Sequence, residues 1–493
     1  MPFRIPLRRK RGRYFSRMAT SDAASAASGN ASPPAGRRRS RVVELQDDDN
    51  LAEVGTPATD DAFPFIPPLF TKPPPIKDGL MTETAELQDA TVEECVQLLA
   101  EPEGDLNLHG VSTLARAKHV KFLKMQIAGP FPKGFVALDA SRPWMLYWAL
   151  TGLYLLGEDV SVYKEQVIGT LAPFQNGTGG FGGGHGQFSH IATTYASVLS
   201  LVTVGGREAL DLIDRKALWH WLGRMKQPDG GFSMVEGGEV DIRGAYCSMV
   251  IIALLDLPLE LPPDAPAKVI GDETFLTNLE DWLARCQTYE GGIAGAPDNE
   301  AHGAYAFCGL ACLSIIDAPS RSLAGNLNMH SLISCLSSLQ HAPEPGFAGR
   351  TNKLVDGCYS WWVGGCWSLI AAALGQQMSD LWSREGLARY ILCCCQNLRS
   401  GGLRDKPSKG PDGYHSCYVL AGLSAAQHVY AFQDQEKLEL VKGTAGFGWT
   451  VAGRAEGLPV EEQDRVRAIH PVFVIPFERV EECRNYFEEK AGF

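Results

Sequence analysis

Residues 350–367 read R-T-N-K-L-V-D-G-C-Y-S-W-W-V-G-G-C-W, so Asp356 and Cys358 stand two apart with only Gly357 between them. His415 follows in Y-H-S-C-Y, 57 residues past Cys358. A carboxylate, a thiolate and an imidazole make a three-ligand zinc set. Three protein ligands leave a fourth position open, the mark of a catalytic zinc rather than a structural one. A zinc finger fits badly, because no Cys-x-x-Cys pair faces a second such pair at zinc spacing. Arg350 and Lys353 lie three apart, so one helical turn points them the same way. Two cations beside a metal thiolate suit a bound anion, a phosphate or a diphosphate. Taken alone, Asp-x-Cys has an ordinary alternative: a turn followed by a core residue.

These residues need elements to bring them together, and the chain carries a repeat that does so. Gly-rich turns recur at Gly179–Gly180–Phe181, Gly230–Gly231–Phe232, Gly291–Gly292–Ile293, Gly346–Phe347 and Gly401–Gly402–Leu403. The apolar residue that closes each turn falls at intervals of 51, 61, 54 and 56 residues. A period of this size signals a repeat architecture. A glutamine precedes each turn, at 175, 227, 287, 340 and 396. After each turn the spacing predicts an apolar helix rich in small residues, starting near Ser189, Asp241, His302, Asp356 and His415. An earlier one starts near Ser141, with Pro143 in its first turn. Amphipathic segments lie between them, at 210–224, 275–286 and 381–395. Six alternations of apolar inner and amphipathic outer helices predict an all-α chain built as an (α/α)6 barrel, with no strand of any length.

Parallel inner helices would gather Asp241, His302, Asp356 and His415 at one mouth, where helix N-termini favour anions. The inner faces then line a lumen with Trp144, Trp148, Tyr195, Tyr246, Tyr305, Trp362 and Tyr418. An aromatic funnel with cations at its rim suits a long apolar tail bearing a charged head.

The 493 residues are 45% apolar, ample for a large core, and the net charge of −12 argues against a nucleic-acid-binding surface. Thirteen cysteines without extracellular spacing, three of them consecutive at 393–395, suit reduced thiols and a cytoplasmic location. No run of about 18 apolar residues marks a membrane helix. Residues 1–62 read as a disordered tail, basic and then acidic, and 63–80 as a Pro-rich lead-in to a helical region over 81–493. The basic cluster at 8–13 is open to three readings: a transit peptide, a nuclear signal, or a stretch upstream of a start at Met18.

Three motifs occur in order: R-x-x-K-L-V-D-G-C-Y-S, G-G-L-x-D-K-P-x-K and Y-H-x-C-Y-x-L-x-G-L-S. Over residues from about 80 to 475 the chain resembles the β subunits of the protein prenyltransferases, and among them the farnesyl enzymes. The resemblance implies the same barrel, with Asp356, Cys358 and His415 as ligands of one zinc per β subunit. It places Arg350, Lys353, His302 and Tyr359 on the diphosphate of the isoprenoid. Trp144 and Trp148 would line the pocket for isoprenoid and peptide, with Tyr246 along its wall and Tyr414 and Tyr418 facing it. Arg243 would reach the peptide at the funnel floor; a charge pair with Asp241 is its alternative. Asp405 would bind Mg²⁺, unless it caps or pairs with Lys406 or Lys409. The chain reads G-P-D-G-Y-H where the family commonly has a polar residue, Arg, Asp and an aromatic before Tyr-His.

The implied activity is transfer of a farnesyl group from farnesyl diphosphate to the cysteine of a C-terminal C-a-a-X sequence. An α subunit is implied as obligate partner in a heterodimer, with no nucleic acid and no integral membrane segment. A type I geranylgeranyltransferase β subunit shares this chemistry and differs in pocket depth. A terpene-cyclase-like toroid would instead carry an acidic proton-donor cluster, which the sequence does not show.

Overall fold

A computed structural model describes residues 82–131, 133–375, 381–433 and 442–490. The tail over 1–62 and the lead-in over 63–80 lie outside the described residues. The expected alternation is present. The inner helices are α1 (Arg142–Leu155), α2 (Ile191–Val204), α3 (Ile242–Leu254), α4 (Gly303–Ile316), α5 (Tyr359–Trp362), α6 (Cys366–Leu374) and α7 (Gly413–Gln427). Segments α5 and α6 are one inner position, broken at Gly364–Gly365. The starts fall within three residues of the expected ones. Outer helices precede each turn, among them Arg215–Met225 and Met329–Ser338. They bury one stripe, whereas α3 buries every residue except Arg243.

The turns explain the repeat. Gly179, Gly230, Gly291 and Gly401 adopt φ between 76° and 107°, and a Cβ there would strike a backbone carbonyl of the next outer helix within 2.2 Å. Only glycine permits both the conformation and the approach. The apolar residue after each turn is fully or almost fully buried. The preceding glutamine is a latch. Gln340 donates to the Ser383 carbonyl at 3.0 Å and accepts from Ser383 N–H at 2.7 Å. Gln287 does the same with Asn328, and Gln175 with Leu212 and Asp214. Gln396 latches onto Thr113 and Ala115, just before the first outer helix, Arg116–Lys124. With α7 packed on α1, this closes the ring.

Gln227 is not the latch of its turn. Lys226 pairs with Phe232 there, as Gln175 does with Phe181. Its side chain is completely buried, donates to the Gly230 carbonyl at 2.7 Å and lies 5.0 Å from the Phe232 centroid. Burial pulls its pKa down to about 7 from an ordinary 10.5. Between these values the unfolded chain binds more proton than the folded one, so stability climbs as pH rises from 7 to 10. Lys226→Met is expected to flatten that slope and to add about 1–3 kcal/mol at neutral pH. Denaturant titrations at pH 7 and pH 9 measure both, and an undiminished slope would rule the explanation out.

The mouth is stitched in series. The first inner-helix N–H of each repeat donates into the turn of the next: Ile191 to Met234 O, Ile242 to Gly295 O and Gly303 to Gly349 O, at 2.7–2.8 Å. Gly357 N–H donates likewise to Asp405 O at 2.7 Å. The inner N-termini therefore share one rim, as the sequence predicts. Residues 466–475 close the lumen from within. Tyr147 donates to Val474 O at 2.9 Å and Tyr246 to Val472 O at 2.7 Å. One expectation fails: His428–Phe432 and Trp449–Arg454 form an antiparallel two-stranded ribbon after α7. The H-V-Y-A-F run is five residues long, too short for its alternation to stand out from the apolar helix before it.

Candidate metal centre and aromatic lumen

Four inner helices, α2, α3, α4 and α7, begin on a capping side chain, and these caps frame the site. Asp241 caps α3, His302 caps α4 and Asp412 caps α7. Asp356 Oδ1 accepts from Cys358 N–H at 2.8 Å ahead of α5. The cap of α7 thus sits three residues before His415, which the sequence reading takes as the start.

The ligand atoms of Asp356, Cys358 and His415 all lie within 4.8 Å of one another, the one such group of three among the described residues. His415 Nε2 stands 3.2 Å from Asp356 Oδ1. Burial opposes charge on His415, but hydrogen bonds to Asp356 and Asp412 outweigh it and hold the imidazole well above its ordinary pKa. Burial also opposes ionisation of Asp356, and His415 reverses this, bringing the carboxyl down to about 2. Burial and the Asp356 charge push the Cys358 thiol up. The site so placed offers sulfur, oxygen and nitrogen to one point, the donor types zinc takes in tetrahedral sites.

His302 and Tyr359 are in contact, Tyr359 Oη to His302 Nε2 at 3.1 Å. The Tyr359 ring fills the space a Cβ at Gly349 would need. His302 caps its helix with Nδ1, which accepts from Ala304 N–H at 3.1 Å. The neutral ring therefore carries its proton on Nε2. Burial, then the neighbouring Arg350, lowers its pKa to about 4, so at neutral pH it is an uncharged donor. Arg350 pairs with Glu300 across the rim, and Lys353 is exposed on the next turn.

Arg243 adopts the alternative foreseen for it. Its guanidinium forks onto Asp241 at 2.7 and 2.8 Å and lies 5.6 Å from the Tyr305 centroid. Asp405 likewise pairs with Lys406 at 2.5 Å. Gly357 N–H donates to the Asp405 carbonyl at 2.7 Å, which brings Asp405 beside the metal set, and burial and then the Asp356 carboxylate raise its pKa.

The lumen wall is a closed ring of eight aromatics. Trp144, Trp148, Tyr414, Tyr418, Trp362, Phe307, Tyr246 and Tyr195 follow one another, and Tyr195 returns to Trp144, at centroid distances of 4.4–5.8 Å. Trp362 Nε1–H donates to the Tyr414 hydroxyl at 3.0 Å. Sequence reasoning misses Phe307 and puts Tyr305 in its place. Tyr305 sits at the rim instead, 4.9 Å from the His302 ring. The two are adjacent on α4 but one, so they point to nearly opposite sides of the helix.

Residues 114–475 match the family model described as the prenyltransferase alpha-alpha toroid domain. The chain is 51% identical over 447 residues to a protein farnesyltransferase subunit beta of Pyricularia oryzae, covering 87% of this chain and 85% of the relative. It is 36% identical to the protein farnesyltransferase subunit beta of Schizosaccharomyces pombe, covering 84% and 99%. Among solved structures, a Candida albicans protein geranylgeranyltransferase-I complexed with GGPP aligns with a TM-score of 0.55 at 22% identity. That alignment covers 76% of this chain and 99% of that one, and it supports the fold. From family model, fold and relatives together, the chain belongs to the β subunits of the protein farnesyltransferases.

Proposed function

We propose that this chain is the zinc-bearing catalytic half of an obligate heterodimer with a prenyltransferase α subunit. It transfers the fifteen-carbon group of farnesyl diphosphate to the cysteine thiol of C-terminal C-a-a-X sequences. The observation that carries the reading is the Asp356–Cys358–His415 group opening onto a mouth above an aromatic-ringed lumen. Zinc held there by Asp356, Cys358 and His415 would supply an open position that lowers the pKa of an acceptor thiol.

The chain's own groups do the rest. The ring takes the isoprenoid as apolar surface and leaves the diphosphate at the rim. His302 donates Nε2–H and Tyr359 its hydroxyl toward the leaving oxygens, while Arg350 and Lys353 meet their charge. Such preorganised donors count most where charge develops in the transition state. Arg350 must leave Glu300 to do this, so Glu300 holds it until an anion arrives. Asp405 would hold Mg²⁺ by releasing Lys406, and the ion would offset leaving-group charge. Arg243 and the remaining ring residues, Trp144, Trp148, Tyr246, Trp362, Tyr414 and Tyr418, would bound the isoprenoid and peptide, with Tyr305 at their edge. The thirteen cysteines are all free, which fits a cytoplasmic location. Among the described residues no helix is long and apolar enough to cross a membrane.

Co-expression with an α subunit, followed by transfer assays with fifteen- and twenty-carbon donors on one C-a-a-X peptide, tests the reading. Transfer with the shorter donor, dependent on the α subunit, is expected. Transfer by neither donor would sink it.

A further inference from the structure

We infer that Asp412 is a positioning residue of the metal centre: its carboxylate fixes the His415 ring in the tautomer that ligates a metal. The inference rests on the reading of Asp356, Cys358 and His415 as zinc ligands. Asp412 Oδ1 accepts from His415 N–H at 2.8 Å, and Oδ2 meets His415 Nδ1 at 2.7 Å. One carboxylate thus holds both the backbone and the ring of the same residue. An acceptor at Nδ1 keeps the proton there and leaves the Nε2 lone pair for a metal. Nε2 is the nitrogen on the Asp356 side.

The same barrel supplies the contrast. His190 and His302 cap their own helices with Nδ1, accepting from Ala192 and Ala304 N–H at 3.1 Å. In both the proton is forced onto Nε2, which makes a donor and not a ligand. At α7 the capping is delegated to Asp412, three residues earlier, and His415 is freed to turn the opposite nitrogen inward. The cap is itself fixed. Asp412 N–H donates to Leu403 O at 3.3 Å, and Ser416 Oγ donates to Asp412 O at 2.7 Å. Gly413 beside it leaves room for Gln126, whose Oε1 lies 2.3 Å from where a Cβ would be. The departure from the family pattern in G-P-D-G-Y-H therefore spares the aspartate and alters its flanks.

Two substitutions separate this role from helix capping. Asp412→Asn and Asp412→Ser both keep an oxygen for the His415 N–H. Asn also turns an amide donor toward Nδ1, which favours the wrong tautomer. Ser removes the ring partner. With the heterodimer purified, zinc affinity is measured by competition with a chromophoric chelator, and the site is also loaded with Co²⁺ for its thiolate charge-transfer and ligand-field bands. A 10–100-fold loss of zinc affinity is expected for Asn and a smaller loss for Ser, with altered cobalt bands and unchanged thermal unfolding of the metal-free protein. Ser is read in the same way should the Asn form not assemble. Wild-type affinity and cobalt spectra in both variants, while His415→Ala loses its zinc, would overturn the role of Asp412 and leave the ligand set standing. Zinc kept by His415→Ala would overturn the ligand set, and this role with it.

Discussion

Cys358→Ala and His415→Ala are each expected to abolish stoichiometric zinc and to slow transfer by about 10³-fold or more, equivalent to ~4 kcal/mol of barrier. Each removes one of three ligands whose atoms converge within 4.8 Å. The fold should survive. The latches, the stitched rim and the buried inner helices lie outside the ligand set, and the Cys358 side chain makes no capping hydrogen bond to α5. Zinc content, measured on the purified heterodimer beside its far-ultraviolet circular dichroism, separates loss of metal from loss of structure. Full zinc in both variants would place the ligands elsewhere.

The second large effect concerns donor length. Trp144 belongs to the closed aromatic ring, stacked 5.7 Å from Trp148 and tilted 5.7 Å from Tyr195. Below the ring, residues 466–475 end the lumen, held by Tyr147 and Tyr246. In the proposed reading, an isoprenoid entering from the rim would be confined at the side by Trp144 and Tyr418 and at the end by this segment. An indole occupies volume that five more carbons need, and forcing extra methylenes into a packed site costs about 1–3 kcal/mol or more. The wild type is expected to prefer farnesyl diphosphate strongly. Trp144→Thr is expected to swing the ratio of kcat/KM toward the twenty-carbon donor by about 10²-fold. Competition between the two donors with one peptide measures this. A wild type that already prefers the longer donor would favour the geranylgeranyl reading. An unchanged ratio in Trp144→Thr alone would remove Trp144 as the limiting wall and leave the enzyme class intact.

What the chain states locally was legible in it. Four of the five recurring glycine turns need positive φ and close backbone approach, so they mark outer-to-inner passages in the sequence itself. Asp356 and Cys358 are neighbours by covalent geometry, and His415 lies in the first turn of a helix that the period predicts. The alternation of buried and one-sided helices follows from composition, because a helix apolar all round can only sit inside.

That same uniformity hid what the tertiary structure decided. A helix such as α4 is apolar on every side, so nothing in its pattern says which face meets the lumen, and Phe307 rather than Tyr305 completes the ring. Packing against both neighbours sets that rotation. At the second turn adjacent polar residues offer two registers. The backbone pairing of Lys226 with Phe232 chooses the lysine and leaves Gln227 beside it. Arg243 and Asp405 each had a charge partner in sequence reach, and only the fold shows those pairs made. The ribbon after α7 and the closure of the lumen by residues 466–475 join parts of the chain that share no local signal. Their energy comes from contacts across tens to hundreds of residues, which period and composition do not encode.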